Sequence, residues 1–461
     1  MTTPSIRLDN VLDHLLDAVC LVDAEGRFVF ISAACQSIFG YAPAELVGTR
    51  MIDLVHPDDR ARTLDAAAAI MRGVPNPHFE NRYVRKDGRV VPIMWSARWS
   101  EEDGVRIAVA RDITALKRAE SVRAALLAIS EAAHVAADLH ELFRDIHSII
   151  ETLLPARNFF VALLDDARDT LSFPYFVDEH DSAPQPIRLD SGSLSARVIR
   201  SGTALLLTSD GNGTICANGT ICANGEFGAG TPSLDWLGVP LIARGDTPGA
   251  LVVQNYSGDA RYTDADKQLL QFVSVQIAAA IERKQTETRL RHIAQHDALT
   301  HLPNRKLFDN RLQAALDHAR REQACLAVLY IDLDHFKQVN DSLGHAAGDH
   351  VLHEVARRIS SCVRESDTVG RMGGDEFVVL LTGIKQAARA LLVAEKIRAG
   401  LQRPFALDAQ NVSTMASIGV ATYPEHADAG HALLRVADQA MYRAKKLGGN
   451  RCWMALAELA E

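Results

Sequence analysis

The run Ser366-Asp-Thr-Val-Gly-Arg-Met-Gly-Gly-Asp-Glu-Phe-Val-Val-Leu-Leu381 lies near the C-terminal end of a 461-residue chain. Two short β-type segments, Thr368 to Met372 and Phe377 to Leu381, flank Gly373-Gly374, and a Gly-Gly pair between such segments predicts a hairpin turn. Asp375 and Glu376 then stand at its mouth. Glycine tolerates positive φ and has no Cβ, so the turn is tight and a ligand can approach the Gly373 and Gly374 backbone closely. Two acids beside such a gap suggest a metal or phosphate partner. The plainer alternative is a surface hairpin with solvated acids, and the tetrapeptide by itself favours it.

The preceding elements bear on that choice. Asp297-Ala-Leu-Thr-His-Leu-Pro-Asn-Arg305 leads into a predicted helix, Lys306 to about Arg321, with apolar Leu307, Leu312 and Leu316. The strand Cys325-Leu-Ala-Val-Leu-Tyr-Ile-Asp332 follows, and strand periodicity puts Asp332 and Asp334 on one face and Leu333 on the other. If this strand pairs with the hairpin, Asp332 meets Asp375 and Glu376. Three converging carboxylates repel one another unless a hard cation neutralises them, and Mg²⁺ suits oxygen ligands beside phosphates, with Mn²⁺ the alternative.

Length implies about three domains at ~150 residues each. A hydrophobic content of 48% and a charged content of 23% fit an ordinary globular protein. The net charge of -9 argues against a general nucleic-acid or anionic-membrane binder. No basic n-region with an apolar core opens the chain, and no stretch approaches the ~20 apolar residues of a membrane span. Seven scattered cysteines suit reduced thiols. The expectation is a cytoplasmic protein.

Residues 10 to 115 alternate strand and helix signals, with antiparallel strands expected at Phe79 to Val84, Val90 to Trp99 and Arg106 to Ala110. Through Phe39-Gly-Tyr-Ala-Pro-Ala-Glu-Leu-Val-Gly48, His56-Pro-Asp-Asp59, Lys86-Asp-Gly88 and Arg111-Asp-Ile-Thr114, residues 8–118 resemble a PAS sensor domain. Flavin photoreceptors of that family carry a reactive cysteine where Met51 stands here, which disfavours flavin-thiol chemistry. His56 is a haem candidate only in principle, a polar cap of its turn being the simpler reading, and the sensor ligand is unknown. A charged helix is expected from Asp112 to about Ala136. Residues 119–285, through Gly238-Val-Pro-Leu-Ile242, Gly249-Ala-Leu-Val-Val253 and the helix after Thr263, resemble a GAF sensor domain. A tandem Asn212-Gly-Thr-Ile-Cys-Ala217 and Asn218-Gly-Thr-Ile-Cys-Ala223 reads as a duplicated flexible loop; Cys216 and Cys222 have neither zinc-ligand spacing nor the Cys-His pair of a bilin site. The helix from Thr263 to about Gln295 has Leu270, Val273, Ile277 and Ile281 at three-four spacing, then a polar break at 284–288, then Leu290 and Ile293. It resembles a coiled-coil linker with an interrupted seam, although packing on its own domain fits the first half equally well.

Residues 290–456 resemble the GGDEF family of diguanylate cyclases. The motifs are Gly373 to Phe377, Asp297 to Arg305, Asp332 to Gly344, His345-Ala-Ala-Gly-Asp349, Ala416-Ser-Ile-Gly-Val420 and Ala437-Asp-Gln-Ala-Met-Tyr-Arg-Ala-Lys445. The implied architecture is α+β and multidomain: PAS, GAF and a palm-like GGDEF domain joined by helical linkers. The resemblance implies synthesis of cyclic di-GMP from two GTP. It assigns Asp332, the Leu333 carbonyl, Asp375 and Glu376 to the metal, and Asn340, His345 and Asp349 to the guanine. Lys337 and Lys445 go to phosphate charge, Lys337 to the transition state as well, and Asp375 to the attacking hydroxyl's proton. One GTP per domain implies a homodimer. Arg364-Glu-Ser-Asp367 matches the family's inhibitory RxxD site and implies product feedback; a surface charge pair is the plain alternative. Two departures stand out: His301 where the family usually has glycine, and Gly449 where it often has a phosphate-binding arginine, a loss that Arg451 could compensate. The competing function is a non-catalytic cyclic di-GMP receptor.

Overall fold

The structure is a computed structural model that describes residues 12, 14–208, 214–216, 221–222, 231–257, 261–384, 386–407 and 410–456. The chain divides into two compact units, Met1–Lys284 and Gln285–Glu461.

The first unit holds two main sheets. Its first is five-stranded and antiparallel, in the order Phe28–Ile31, Ala18–Val22, Val105–Asp112, Val90–Ser100, Asn76–Val84. The three strands expected from sequence are present and slightly longer. Inward positions alternate, so Ala18, Cys20 and Val22 face a core containing the ring cluster Phe39, Tyr83 and Trp95. His56 opens the short turn of helix Pro57–Asp59, but its side chain caps nothing there, contrary to the cap reading.

The second sheet runs Ile187–Arg188, Thr170–Val177, Asn158–Leu164, Asp246–Asn255, Asp235–Ala243, Leu205–Thr208. Helices Thr114–Val135, Leu139–Glu151 and Asp264–Gln295 cover one face through Ile129, Ile146, Leu270, Val273 and Ile277. The first half of the expected coiled-coil seam therefore packs on its own domain, because Leu270, Val273, Ile277 and Ile281 are buried in this core. Asp264–Gln295 stays helical through the polar stretch, and beyond it Leu290 and Ile293 are 61% and 60% exposed. Where the tandem repeat is described, Thr214–Cys216 and Ile221–Cys222 pair antiparallel, with Ile215 opposite Ile221. The remainder of the expected flexible loop lies outside the described residues.

The second unit is built on a five-stranded sheet, Thr368–Gly373, Glu376–Ile384, Cys325–Asp334, Met415–Tyr423, Cys452–Met454, antiparallel except for its last pair. The central strand has helices on both faces. Leu329, Ile331 and Leu333 meet helices His345–Cys362 and Ala387–Leu401, while Leu326, Val328 and Tyr330 meet Arg305–Glu322 and Gly430–Lys446. Each fully buried large aliphatic or aromatic side chain contributes ~1.5–3 kcal/mol, so the strand can carry the burial of Asp332 at its end. Among the described residues no helix is long and apolar enough to cross a membrane.

Candidate active site

The hairpin is tighter than the Gly-Gly reading places it. Gly373 closes the first strand opposite Glu376, a bulge falls between Arg371 and Gly373, and the two turn residues are Gly374 and Asp375. Gly374 has φ +56 and Asp375 is not left-handed, the pattern of a type II′ turn. Asp375 thus occupies the turn itself, and Glu376 begins the return strand. A Cβ at either Gly373 or Gly374 would meet nothing within 4 Å, so their φ values of +140° and +56°, rather than crowding, call for glycine.

Register then brings the carboxylates together. Asp332 lies directly opposite Glu376 on one side and Ser417 on the other. The Leu333 N–H donates to the Asp375 carbonyl at 3.4 Å, holding the turn against the end of the central strand. Glu376 accepts from the Tyr330 hydroxyl at 3.0 Å. Lys445, from helix Gly430–Lys446 on the same face, puts Nζ 2.5 Å from Asp332 Oδ1. That oxygen is fully buried, and the ammonium lies off the line of a well-formed hydrogen bond. Burial lifts the Asp332 pKa, Lys445 opposes it, and Asp375 and Glu376 lift it further, to about 6. A buried carboxylate oxygen this poorly satisfied, in a cluster of acids, is where a hard cation fits. Among the described residues no three acidic, His or Cys side chains enclose an ion by themselves.

Asp334, on the same face, has another role. It accepts from Ser417 Oγ at 2.9 and 3.1 Å and from the Asn450 N–H at 2.8 Å, anchoring the loop after Lys445. Gly448, Gly449 and Asn450 are left-handed in succession, with φ +109, +70 and +46. A Cβ on Gly449 would stand 2.9 Å from Asp334 Oδ2. Arg451 folds back, its Nε donating to the Gly449 carbonyl at 3.2 Å. His301 keeps the turn expected of glycine by adopting φ +56.

Lys337 is exposed at the start of helix Phe336–Leu343, and His345 and Asp349 are exposed in the first turns of His345–Cys362. Asn340 lies across the junction of these two helices, where a Cβ on Gly348 would overlap its Oδ1. Gly348, one residue before Asp349, therefore leaves the space that the Asn340 amide occupies. The sequence reading passed over this glycine, although its place inside His345-Ala-Ala-Gly-Asp349 was a signal.

Arg364 and Asp367 share an open groove of about 890 Å³ that also includes Arg389 and Lys396, two cations not anticipated from sequence. They do not form the alternative surface charge pair. Asp367 accepts from the backbone N–H groups of Arg364 and Thr382 at 3.0 and 3.1 Å, while among the described residues the Arg364 guanidinium has no ion-pair partner.

Arg371 was also missed. Its Nε and Nη2 donate to the Gly374 carbonyl at 3.1 and 2.7 Å, and its Nη1 to Asp297 Oδ1 at 2.8 Å. Burial works to raise the Asp297 pKa, but Arg371 and the Thr300 hydrogen bonds more than offset it and hold the carboxyl below its ordinary value. The turn that carries Asp375 is thus fastened to the first residues of its unit.

Residues 294–451 match the family model described as diguanylate cyclase, GGDEF domain; residues 28–110 match a PAS fold and 136–282 a GAF domain. The chain is a PAS-GAF-GGDEF protein. Its GGDEF domain is 54% identical over 158 residues to diguanylate cyclase TpbB of Pseudomonas aeruginosa, covering 34% of this chain and 36% of that protein. It is 45% identical over 174 residues to the bifunctional diguanylate cyclase/cyclic di-GMP phosphodiesterase MucR of the same organism, covering 38% of this chain and 25% of that protein. A solved structure comprising only the GGDEF domain of TpbB is 52% identical, with 35% of this chain and 95% of that chain covered at a TM-score of 0.35. The chain thus spans about a third of TpbB and a quarter of MucR, and the GGDEF domain carries the likeness.

Proposed function

We propose that this GGDEF domain is an active diguanylate cyclase, joining two GTP into cyclic di-GMP with release of two pyrophosphates, under control of the PAS and GAF domains. One observation carries the reading: Asp332 faces Glu376 in register, with Asp375 in the adjoining turn and Lys445, alone among the described cations, on the buried Asp332 oxygen. A pure receptor has no use for so strained a set of acids.

Asp332, the Leu333 carbonyl, Asp375 and Glu376 would hold Mg²⁺ or Mn²⁺. When bound, the ion would lower the pKa of the attacking hydroxyl and neutralise phosphate charge. Asn340 and Asp349, an amide and a carboxylate, supply the acceptors and donor that guanine's mixed edge needs, with His345 beside them. The Gly373 and Gly374 backbone lets the triphosphate approach. Lys445, drawn from Asp332, and Lys337 balance phosphate charge, with Lys337 on the transition state. Asp375 takes the 3′-hydroxyl proton as that oxygen attacks the α-phosphate of the second GTP. That second GTP belongs to another copy, so the working species is a homodimer in which the two sites face each other. Arg364 and Asp367 would bind the product's guanine, the arginine on its O6 and N7 edge, and restrain the enzyme.

The test is incubation of the purified chain with GTP and Mg²⁺, with products resolved by chromatography. Cyclic di-GMP is expected from the wild type and none from Asp375→Ala at an unchanged oligomeric state. Binding of cyclic di-GMP without any turnover would establish the receptor reading instead.

A further inference from the structure

Arg106, far from the carboxylate set in sequence and in the other unit, is buried with no acid to balance it. The strand Val105–Asp112 alternates inward and outward, and its inward residues are Arg106, Ala108 and Ala110. Arg106 therefore occupies a core position between Val22 and Trp99 on the neighbouring strands and is only 6% exposed. A buried guanidinium normally has a carboxylate partner, since desolvating a lone charge is costly. Among the described residues Arg106 has none. Its Nη2 points at Met51 Sδ, 3.2 Å away, and a thioether is a weak acceptor. The ionisable groups that bear on it are the Tyr83 phenol and the Cys20 thiol, both pushed up by burial and therefore neutral.

The group faces a cavity. A chamber of about 40 Å³ is lined by Val22, Ile70, Phe79, Trp95 and Arg106 among others, and by no acidic residue among those described. Three of the other polar groups in the wall form a chain of their own, and the Tyr83 hydroxyl reaches Met51 Sδ at 3.9 Å. Trp95 Nε1 donates to Asn81 Oδ1 at 3.0 Å, Asn81 Nδ2 to Thr63 Oγ1 at 3.0 Å, and Thr63 Oγ1 to the Asp59 carbonyl at 2.6 Å. Among the described residues Arg106 is thus the one cation of a narrow, mostly apolar chamber, and its N–H groups have no oxygen acceptor.

We propose that the PAS cavity is a receptor site for a small carboxylic acid, its carboxylate paired with Arg106 and its carbon body lying against Phe79, Ile70 and Val22. The planar guanidinium matches a carboxylate in a two-bond fork. A phosphate carries more charge than one guanidinium balances, and the described wall holds no second cation. Met51 then has a purpose, filling the wall behind the guanidinium with a polarisable group.

The experiment is isothermal titration of the full chain with short monocarboxylates from acetate to butanoate, each beside its primary amide, and with inorganic phosphate. At least one acid is expected to bind roughly tenfold or more tightly than its amide, because only the acid neutralises the buried cation. Arg106→Met should remove that preference while leaving the circular dichroism spectrum unchanged. Should that variant not fold, Arg106→Lys keeps the charge without the fork and should weaken the acid several-fold. The proposal is overturned if no acid binds, if acid and amide bind alike, if phosphate binds in their place, or if the preference survives in the folded variant. None of these readouts involves GTP turnover, so they leave the cyclase reading to its own test.

Discussion

Replacing Arg371 by alanine should loosen the Gly374–Asp375 hairpin without altering any member of the carboxylate set. The guanidinium joins the Gly374 carbonyl to Asp297, and its side chain is 9% exposed against 22% for Asp297, so water screens the pair only partly. Losing the charged partner of a half-buried carboxylate costs about 1.5–3 kcal/mol, and losing the donors on one backbone carbonyl ~0.5–1.5 kcal/mol. Together they amount to about 2–4 kcal/mol, or roughly 30- to 1,000-fold in the equilibrium for local opening. Hydrogen exchange read by mass spectrometry on the full chain would measure this. Amides of 368–380 should lose protection by that factor, while those of 269–281 in the GAF core stay unchanged. Arg371→Lys, which can reach one partner but not both, should fall between. A change below about threefold in the hairpin, or an equal loss in the GAF core, would refute the view that this arginine fastens the turn.

Gly449→Ala forces a side chain into φ +70 and within 2.9 Å of Asp334 Oδ2; the thermal transition of the C-terminal unit should fall by the equivalent of ~1–3 kcal/mol. Gly348→Ala displaces the Asn340 amide, so it should raise KM for GTP about tenfold or more with a smaller change in kcat; equal effects on both would detach Asn340 from base binding. Glu354 is gripped by Arg357 at 2.6 and 2.7 Å and Arg358 at 2.9 Å. Its bonds to Arg357, against opposing burial and with help from Arg358, hold its pKa at about 2, below the ordinary 4.5. This stabilisation is complete above pH ~5 and disappears as pH falls toward 2. Scanning calorimetry should therefore find Glu354→Gln less stable than wild type at pH 7, with the gap shrinking steadily below pH ~4.

Part of the candidate site could be read from the sequence: strand period put Asp332 and Asp334 on one face and Leu333 on the other, while the meeting of Asp332 with the hairpin acids depended on a pairing that only the fold supplies. What escaped was longer in range. Arg371 alternates on its strand like any outward residue, and its partner Asp297 lies 74 positions away. Arg106 began a predicted strand, but nothing in a run of Arg-Ile-Ala-Val-Ala indicates that the first residue points inward without a counter-ion. The seam of the long helix was ambiguous for a physical reason: Leu270, Val273, Ile277 and Ile281 have a spacing that serves a partner helix or a GAF core equally well, and the core took them. The turn slipped by one residue because Gly373 could either close a strand or enter the loop, and the bulge after Arg371 settled that choice.

The contact between Gly449 and Asp334 has an evolutionary consequence. Asp334 fixes Ser417 and Asn450, and it leaves too little volume for a β-carbon at Gly449 above it. An arginine restored at 449 alone would arrive in a disfavoured left-handed backbone state and against a carboxylate already committed elsewhere. The two sites are therefore epistatic: a lineage moving from one phosphate-side arrangement to the other must change the loop and the strand end together, or pass through a form worse than either.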